Sequence, residues 1–307
     1  MITLSSPTIV RFINGIFGRD YPTDSKITYN WTENVDDNLK KTIADTIITV
    51  NESDSFHLEA QMYVDDDSIL LRMFDYSYSQ ARRNAKDYYD ENGKRCGIIL
   101  TFPTQVVIYL DSAQSVPDEY VIKLIFGKED EYTYSVPTIK FQEESLNDII
   151  SRNMIILLPF KLLKVRAKFK SAYDNYTANS DNAINDLSTV ISELREVFEN
   201  DIISTIEESF RSGNISRSDM NLLLSLTAKL FDYLYSRYSS IKEVDVMLHD
   251  ESLDLEIDKI YDAYEALENK LTKAENLIAE KEEQIAEKDE TINKLQAEFD
   301  AYKASHP

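Results

Sequence analysis

The stretch TIADTIITV (42–50), NESDS (51–55) and FHLEAQM (56–62) decides the fold. Ile43–Val50 and Phe56–Met62 read as two strands, and the turn formers between them make a hairpin the simplest connection. FHLEAQM alternates: Phe56, Leu58, Ala60 and Met62 fall on one face, directed to the core, and His57, Glu59 and Gln61 on the other. Asp45 interrupts the first, otherwise apolar run. A charge inside a strand is costly unless it is paired, hydrogen-bonded or metal-bound. Two carboxylates on adjacent strands, Asp45 and Glu59, suit a hard cation. Mg²⁺ takes one or two protein carboxylates, keeps several waters and leaves room for a phosphate. From spacing alone, an ordinary polar strand face explains the same residues.

Working outward, Ser68–Tyr89 has helical spacing, with Ile69, Met73, Tyr76 and Gln80 or Ala81 along one stripe and ENGK (91–94) as its stop. Gly97–Phe102, Gln105–Leu110 and Tyr120–Phe126 read as further strands, punctuated by Pro103, Pro117 and Gly127. That order predicts an α/β fold, a mixed sheet carrying helices. Helix breakers then vanish. All six glycines lie at or before Gly213, and no proline follows Pro159 until Pro307. From about Lys161 the chain reads as helical. Ile184, Leu187, Val190, Ile191, Leu194, Val197 and Phe198 form a stripe closed by Gly213, and a second, largely buried helix covers about Asp219–Tyr238.

The last segment keeps heptad register. With Ile257 at position a, the series continues through Tyr264, Leu271, Ile278, Ile285, Ile292 and Phe299, and the d series is Ile260, Leu267, Ala274, Lys281, Lys288, Leu295 and Tyr302. This predicts a coiled coil and self-association, weakest where lysine occupies d. A single amphipathic helix folded back on its own domain is the alternative. The expected organisation is residues 1–165, a helical region at 166–250 and a coiled coil at 251–307.

Composition removes several function classes. One cysteine in 307 residues excludes a disulfide scaffold and a Cys-ligated zinc or iron–sulfur site, and three histidines are too few for a His-rich centre. The longest apolar run, Met154–Phe160, falls far short of the ~20 residues that span a bilayer. The opening MITLSSPTIVRFINGIFG lacks a basic leader and carries Arg11 where an apolar core would continue. A cytoplasmic protein with no membrane partner is the expectation. The net charge of −22 divides into −10 over residues 1–160 and −12 over the rest. Any nucleic-acid surface must therefore be a local basic patch.

Five blocks in order, RFINGIFG (11–18), DSKITYNWTE (24–33), TIADTIITV (42–50), FHLEAQM (56–62) and LLRMFDYSY (70–78), resemble the recombination-promoting nuclease and transposase-like family of the PD-(D/E)XK nuclease superfamily. The resemblance covers about residues 8–165 and leaves the heptads outside. It implies a restriction-endonuclease-like sheet core and metal-dependent cleavage of DNA with Mg²⁺ or Mn²⁺. By position, the metal-binding Asp falls on Asp45 and the acid of the (D/E)XK element on Glu59. The resemblance also implies the backbone carbonyl of Ala60, a position that often contributes to the metal site in that superfamily, and matches Glu33 to the family's upstream acid. The lysine position falls on Gln61, a residue familiar there in that family. Glutamine can position a water but adds no charge beside the phosphate, so a lower rate, or a catalytically degenerate copy, is implied.

Arg72, Arg82, Arg83 and Lys86, with Lys94 and Arg95 beyond, form the basic cluster nearest the expected site. They suit DNA phosphates, or else a solvated helix face diluted by Asp75, Asp87, Asp90 and Glu91. His57 shares the site face, where a satisfied structural role competes with contact to phosphate or water. Cys96 reads as a small buried side chain, Asp65–Asp67 as a solvated turn, and Tyr76 and Tyr78 as packing or capping groups. Three functions follow: a metal-dependent endonuclease, a degenerate relative that binds DNA or protein, or an adaptor built on the C-terminal helices.

Overall fold

A computed structural model of the chain describes residues 4–31, 46–62, 68–111, 115–127, 130–178 and 183–238, and seven isolated helical positions between 273 and 292. Glu33, Asp45, Asp65–Asp67 and most of the heptad positions lie outside the described residues. The chain divides into two compact units, 1–253 and 254–307.

Helix α1 (Ser6–Phe17) opens with Pro7 in its first turn and ends on Gly18 in the left-handed conformation, φ 61°. Strands β1 (Ile27–Trp31), β2 (Thr46–Val50) and β3 (Asp54–Gln61) form an antiparallel meander. The expected hairpin is present: Val50 pairs with Asp54 and Thr46 with Leu58. Helix α2 (Ser68–Arg83) then crosses to β6 (Thr104–Tyr109), which runs parallel to β3. Strands β7 (Glu119–Phe126) and β8 (Asp130–Lys140) complete a mixed six-stranded sheet of order β1-β2-β3-β6-β8-β7.

Helices cover both sides of the sheet around β3 and β6, whereas β7 and the start of β8 are largely exposed. Phe17 of α1 meets Phe56 with ring centroids 4.7 Å apart. On the opposite side, Ile69 and Met73 of α2 pack with Val107, Tyr109, Val116 and Val136 in one buried cluster. Each such side chain contributes roughly 1.5–3 kcal/mol of burial. Sequence alternation places only one face of β3 toward the core. In the structure Phe56, His57, Leu58 and Glu59 are all at most 2% exposed, because α1 and α2 enclose the strand from both sides, while Ala60, Gln61 and Met62 are half-buried.

The helix expected over 68–89 ends at Arg83. Lys86–Tyr89 is instead strand β4, paired antiparallel with β5 (Arg95–Ile99) in a separate two-stranded ribbon. ENGK therefore turns a hairpin. Asp90 Oδ1 accepts the backbone N–H groups of Asn92 and Lys94, and Gly93 takes φ 77°. Cys96, expected to be buried, is exposed on this ribbon, because neither of its faces packs on the sheet. Strand β8 lies where the sequence reading placed no element. Its Pro137 precedes Thr138, where pairing with β6 begins, so no ladder bond to that strand is lost.

The helical region packs in the same unit: α3 (Leu146–Ser151), 3₁₀ turns at Ile155–Leu162, α4 (Leu163–Thr177), α5 (Ala183–Glu196), a π segment at Val197–Ile203, α6 (Ser204–Arg211) and α7 (Arg217–Tyr235). Of the stripe, Leu187, Ile191, Leu194, Val197 and Phe198 are buried, whereas Ile184, in the first turn of α5, is 51% exposed. Asp219 ties α7 to α1, accepting from Ser5 N–H (2.7 Å), Ser5 Oγ (2.5 Å) and Thr8 Oγ1 (2.9 Å). Burial alone would raise its pKa, but hydrogen bonds from Ser5, Ser216 and Thr8 outweigh that and hold the carboxyl below its usual range. Gly15 permits a close approach, since a Cβ there would lie 1.6 Å from the Arg152 carbonyl oxygen. Among the described residues no helix is long and apolar enough to cross a membrane.

Candidate active site

Glu59 stands on β3 between two covered faces, with its Cα opposite Val107 of β6, and is 1% exposed. Its Oε1 accepts from the Gln61 side-chain amide and from Arg72 Nη2, the latter at 3.2 Å. Among the described residues Oε2 has no hydrogen-bond partner. A carboxylate so buried is strongly penalised unless charge and hydrogen bonds compensate it. Arg72 supplies positive charge from α2, and Gln61 supplies a neutral donor from two residues along the same strand face. One oxygen is left over for a further cation or donor.

The carbonyl of Gln61 accepts the Leu110 N–H at 2.8 Å, so it points toward β6. Strand alternation sends the Ala60 carbonyl the other way, to the side of β2, whose described pairing ends with Thr46 opposite Leu58. Asp45 is the residue that precedes Thr46 in the chain.

His57 belongs to a buried polar group under α2. The Gln105 side-chain nitrogen donates to the Met73 carbonyl (3.0 Å) and to Ser77 Oγ (2.6 Å), and Ser77 Oγ lies 3.0 Å from His57 Nδ1. Because the Met73 carbonyl only accepts, the Gln105 amide orientation is determined and both its N–H groups are used. The Ser77 hydroxyl links Gln105 to His57 Nδ1, as donor or as acceptor according to the tautomer of the ring. Among the described residues His57 Nε2 and the Gln105 amide oxygen have no partner. Burial pushes the His57 pKa down from 6.5 to about 4, so the ring is neutral at neutral pH. A fully buried neutral ring does not contact a phosphate. It fastens β3 to α2 and β6.

The basic residues grouped by sequence fall at two places. Arg72 joins Glu59. Arg82, Arg83 and Lys86 are exposed at the far end of α2 and on β4, with Arg82 about 15 Å from Arg72 along the helix axis at 1.5 Å per residue. Tyr76 lies edge-on to His57, centroids 6.2 Å apart, and Tyr78 is 41% exposed beside Phe102. Among the described residues no three His, Cys, Asp or Glu side chains gather as a ligand set. Glu59 is the one acid of the expected set that is described. Sequence reasoning missed Ser77 and Gln105. Gln105 was the available signal: a lone amide opening the apolar run VVIYL, in register with His57 across the strands.

Comparisons with protein-family models, with curated proteins and with solved structures give no match.

Proposed function

We propose that this protein is a divalent-metal-dependent DNA endonuclease of the PD-(D/E)XK kind, a recombination-promoting, transposase-like enzyme of the cytoplasm. The observation that carries the reading is Glu59, a carboxylate at 1% exposure on a central strand with one oxygen unpartnered among the described residues. The order helix, antiparallel meander, crossover helix, parallel strand supports the restriction-endonuclease-like core that the sequence resemblance implies. Asp45, Glu59, the Ala60 carbonyl and Glu33 would hold Mg²⁺ or Mn²⁺, an oxygen-donor set suited to a hard cation. When bound, such an ion supplies Lewis-acid stabilisation of the phosphodiester and a lowered pKa for water. Gln61, held on Glu59 by its amide, orients the attacking water without adding charge. Arg72 sets positive charge against Glu59 Oε1.

Purified protein with Mg²⁺ or Mn²⁺ should nick or cut plasmid DNA, and Asp45→Ala or Glu59→Gln should abolish cleavage with the fold intact. Equal cleavage by wild type and variants would identify a contaminant. No cleavage by wild type under any metal would leave the second reading, a degenerate relative that binds DNA. One observation favours that reading: the Arg72 guanidinium already occupies Glu59 Oε1 with positive charge.

Self-association through the C-terminal unit completes the proposal. Ile285 and Ile292, both a positions, are helical and 58% exposed, and Lys281 and Lys288 at d are helical and exposed. A partner helix covering that seam would bury them.

A further inference from the structure

We propose that the β4–β5 ribbon is the element that grips duplex DNA, lying in the major groove; this rests on the nuclease reading of the Glu59 site. The ribbon is a two-stranded sheet apart from the main one, and nearly every residue of both strands is exposed. Such a hairpin is marginal in water by itself. This one is held by its own turn, where Asp90 N–H donates to the Lys94 carbonyl at 2.9 Å.

Register assigns its faces. Lys86 pairs with Ile99 and Tyr88 with Gly97 on one face; Asp87 pairs with Ile98, and beyond the bulge Tyr89 pairs with Arg95, on the other. Tyr88, Tyr89, Ile98 and Ile99 are 46–56% exposed. Charge decides what could cover them. Residues 82–99 hold five basic and three acidic side chains in a chain whose net charge is −22. Two of the acids are engaged at home: Asp87 by Arg95 at 2.6 Å, and Asp90 by the turn. Arg82, Arg83, Lys86 and Lys94 are exposed, the local basic patch that binding a polyanion requires.

The shape selects duplex over single strand. A β-ribbon, with strands about 4.8 Å apart, fits a major groove about 12 Å wide, where apolar groups meet thymine methyls and cations meet phosphates at the rims. The ribbon follows directly on α2, whose other end carries Arg72 to Glu59. Arg82, in the last turn of α2 before the ribbon, lies about 15 Å from Arg72 along the helix axis, near half a duplex turn of about 34 Å, so one duplex lying along α2 can touch both ends.

The test is fluorescence anisotropy of the full chain, in EDTA, with a labelled 20-base-pair duplex and a single strand of equal length. Lys86→Glu with Lys94→Glu should weaken duplex binding at least tenfold and single-strand binding under threefold, with melting temperature unchanged. The slope of log affinity against log salt should fall by about 2, at about 0.9 per lost phosphate contact. Tyr88→Ser with Tyr89→Ser should weaken duplex binding without altering the slope. Unchanged duplex affinity, or equal losses on both DNAs, would overturn the inference. So would light scattering showing that the variants alter oligomer size, which would make the ribbon a protein interface. Ribbon-dependent binding by a wild type that cuts nothing would sink the nuclease reading alone, and cleavage that ignores the ribbon would sink the ribbon alone.

Discussion

The Arg72 guanidinium lies 3.2 Å from Glu59 Oε1, pairing a base 39% exposed with an acid 1% exposed. The asymmetry matters. Removing the exposed partner leaves the buried one uncompensated. Arg72→Gln should therefore destabilise the protein by about 1–3 kcal/mol, below the range for fully buried pairs because water screens the arginine. If divalent cations bind Glu59, Mg²⁺ should restore much of that loss, since an ion then replaces the missing charge. Thermal melts of wild type and variant with and without MgCl₂ decide both points.

Metal linkage extends the same argument to Asp45. A ligand at 100 times its Kd that binds only the folded state stabilises by about 2.7 kcal/mol. Mg²⁺ should raise the melting temperature of wild type more than that of Asp45→Ala. Equal shifts would remove Asp45 from the site.

Gln61 separates positioning from charge. Its amide donates to Glu59, and an ammonium could do the same while adding charge. Gln61→Lys should keep or raise cleavage, and Gln61→Ala should lower it by about 10²-fold, the scale of lost general catalytic assistance. An unaffected Gln61→Ala enzyme would place the residue outside the reaction.

His57 gives the fold a pH dependence of definite sign. Its pKa falls from 6.5 to about 4 through burial, so between those values the unfolded chain binds the proton and the folded chain does not. The contribution is present above pH 6.5 and is lost as pH falls toward 4, about 2 kcal/mol of it between pH 7 and pH 5. Urea melts at the two pH values should show this loss in wild type and a flatter dependence in His57→Gln.

The β2–β3 hairpin was legible because NESDS supplies turn formers between two period-2 runs, and β6 and β7 because apolar β-branched runs are bounded by proline and glycine. The end of α2 was not. Helical spacing runs on through Tyr88 and Tyr89, and only the hairpin closed at Asp90–Lys94 shows that Lys86–Tyr89 is a strand. Alternation alone could not show that the polar face of β3 is buried as well. His57 and Glu59 look like surface residues until Ser77, Gln105 and Arg72 arrive from elements 13 to 48 residues away to satisfy them. Spacing also grouped Arg72 with Arg82 and Arg83, although ten residues of helix set Arg82 about 15 Å from Arg72 along the axis.

The heptad seam makes the last prediction. Ile285 and Ile292 are helical and more than half exposed within their own chain. Two isoleucines one heptad apart on one helix expose apolar area that a second helix would bury, and the same register recurs over all seven a positions from Ile257 to Phe299. The full chain should therefore be at least a dimer, and a chain ending at residue 253 should be smaller by that association. Lys281 and Lys288 sit at d, where burying two ammonium groups weakens the seam, so replacing both with Leu should stabilise the oligomer. Ile278→Lys with Ile285→Lys puts charge at two successive a positions and should dissociate it at micromolar concentration. Light scattering reads all four proteins. Two nuclease units on one parallel coil would suit cutting both strands of a duplex, each site taking one. If the full chain and the truncation are both monomeric, the paired-site arrangement is lost and the C-terminal helix acts alone.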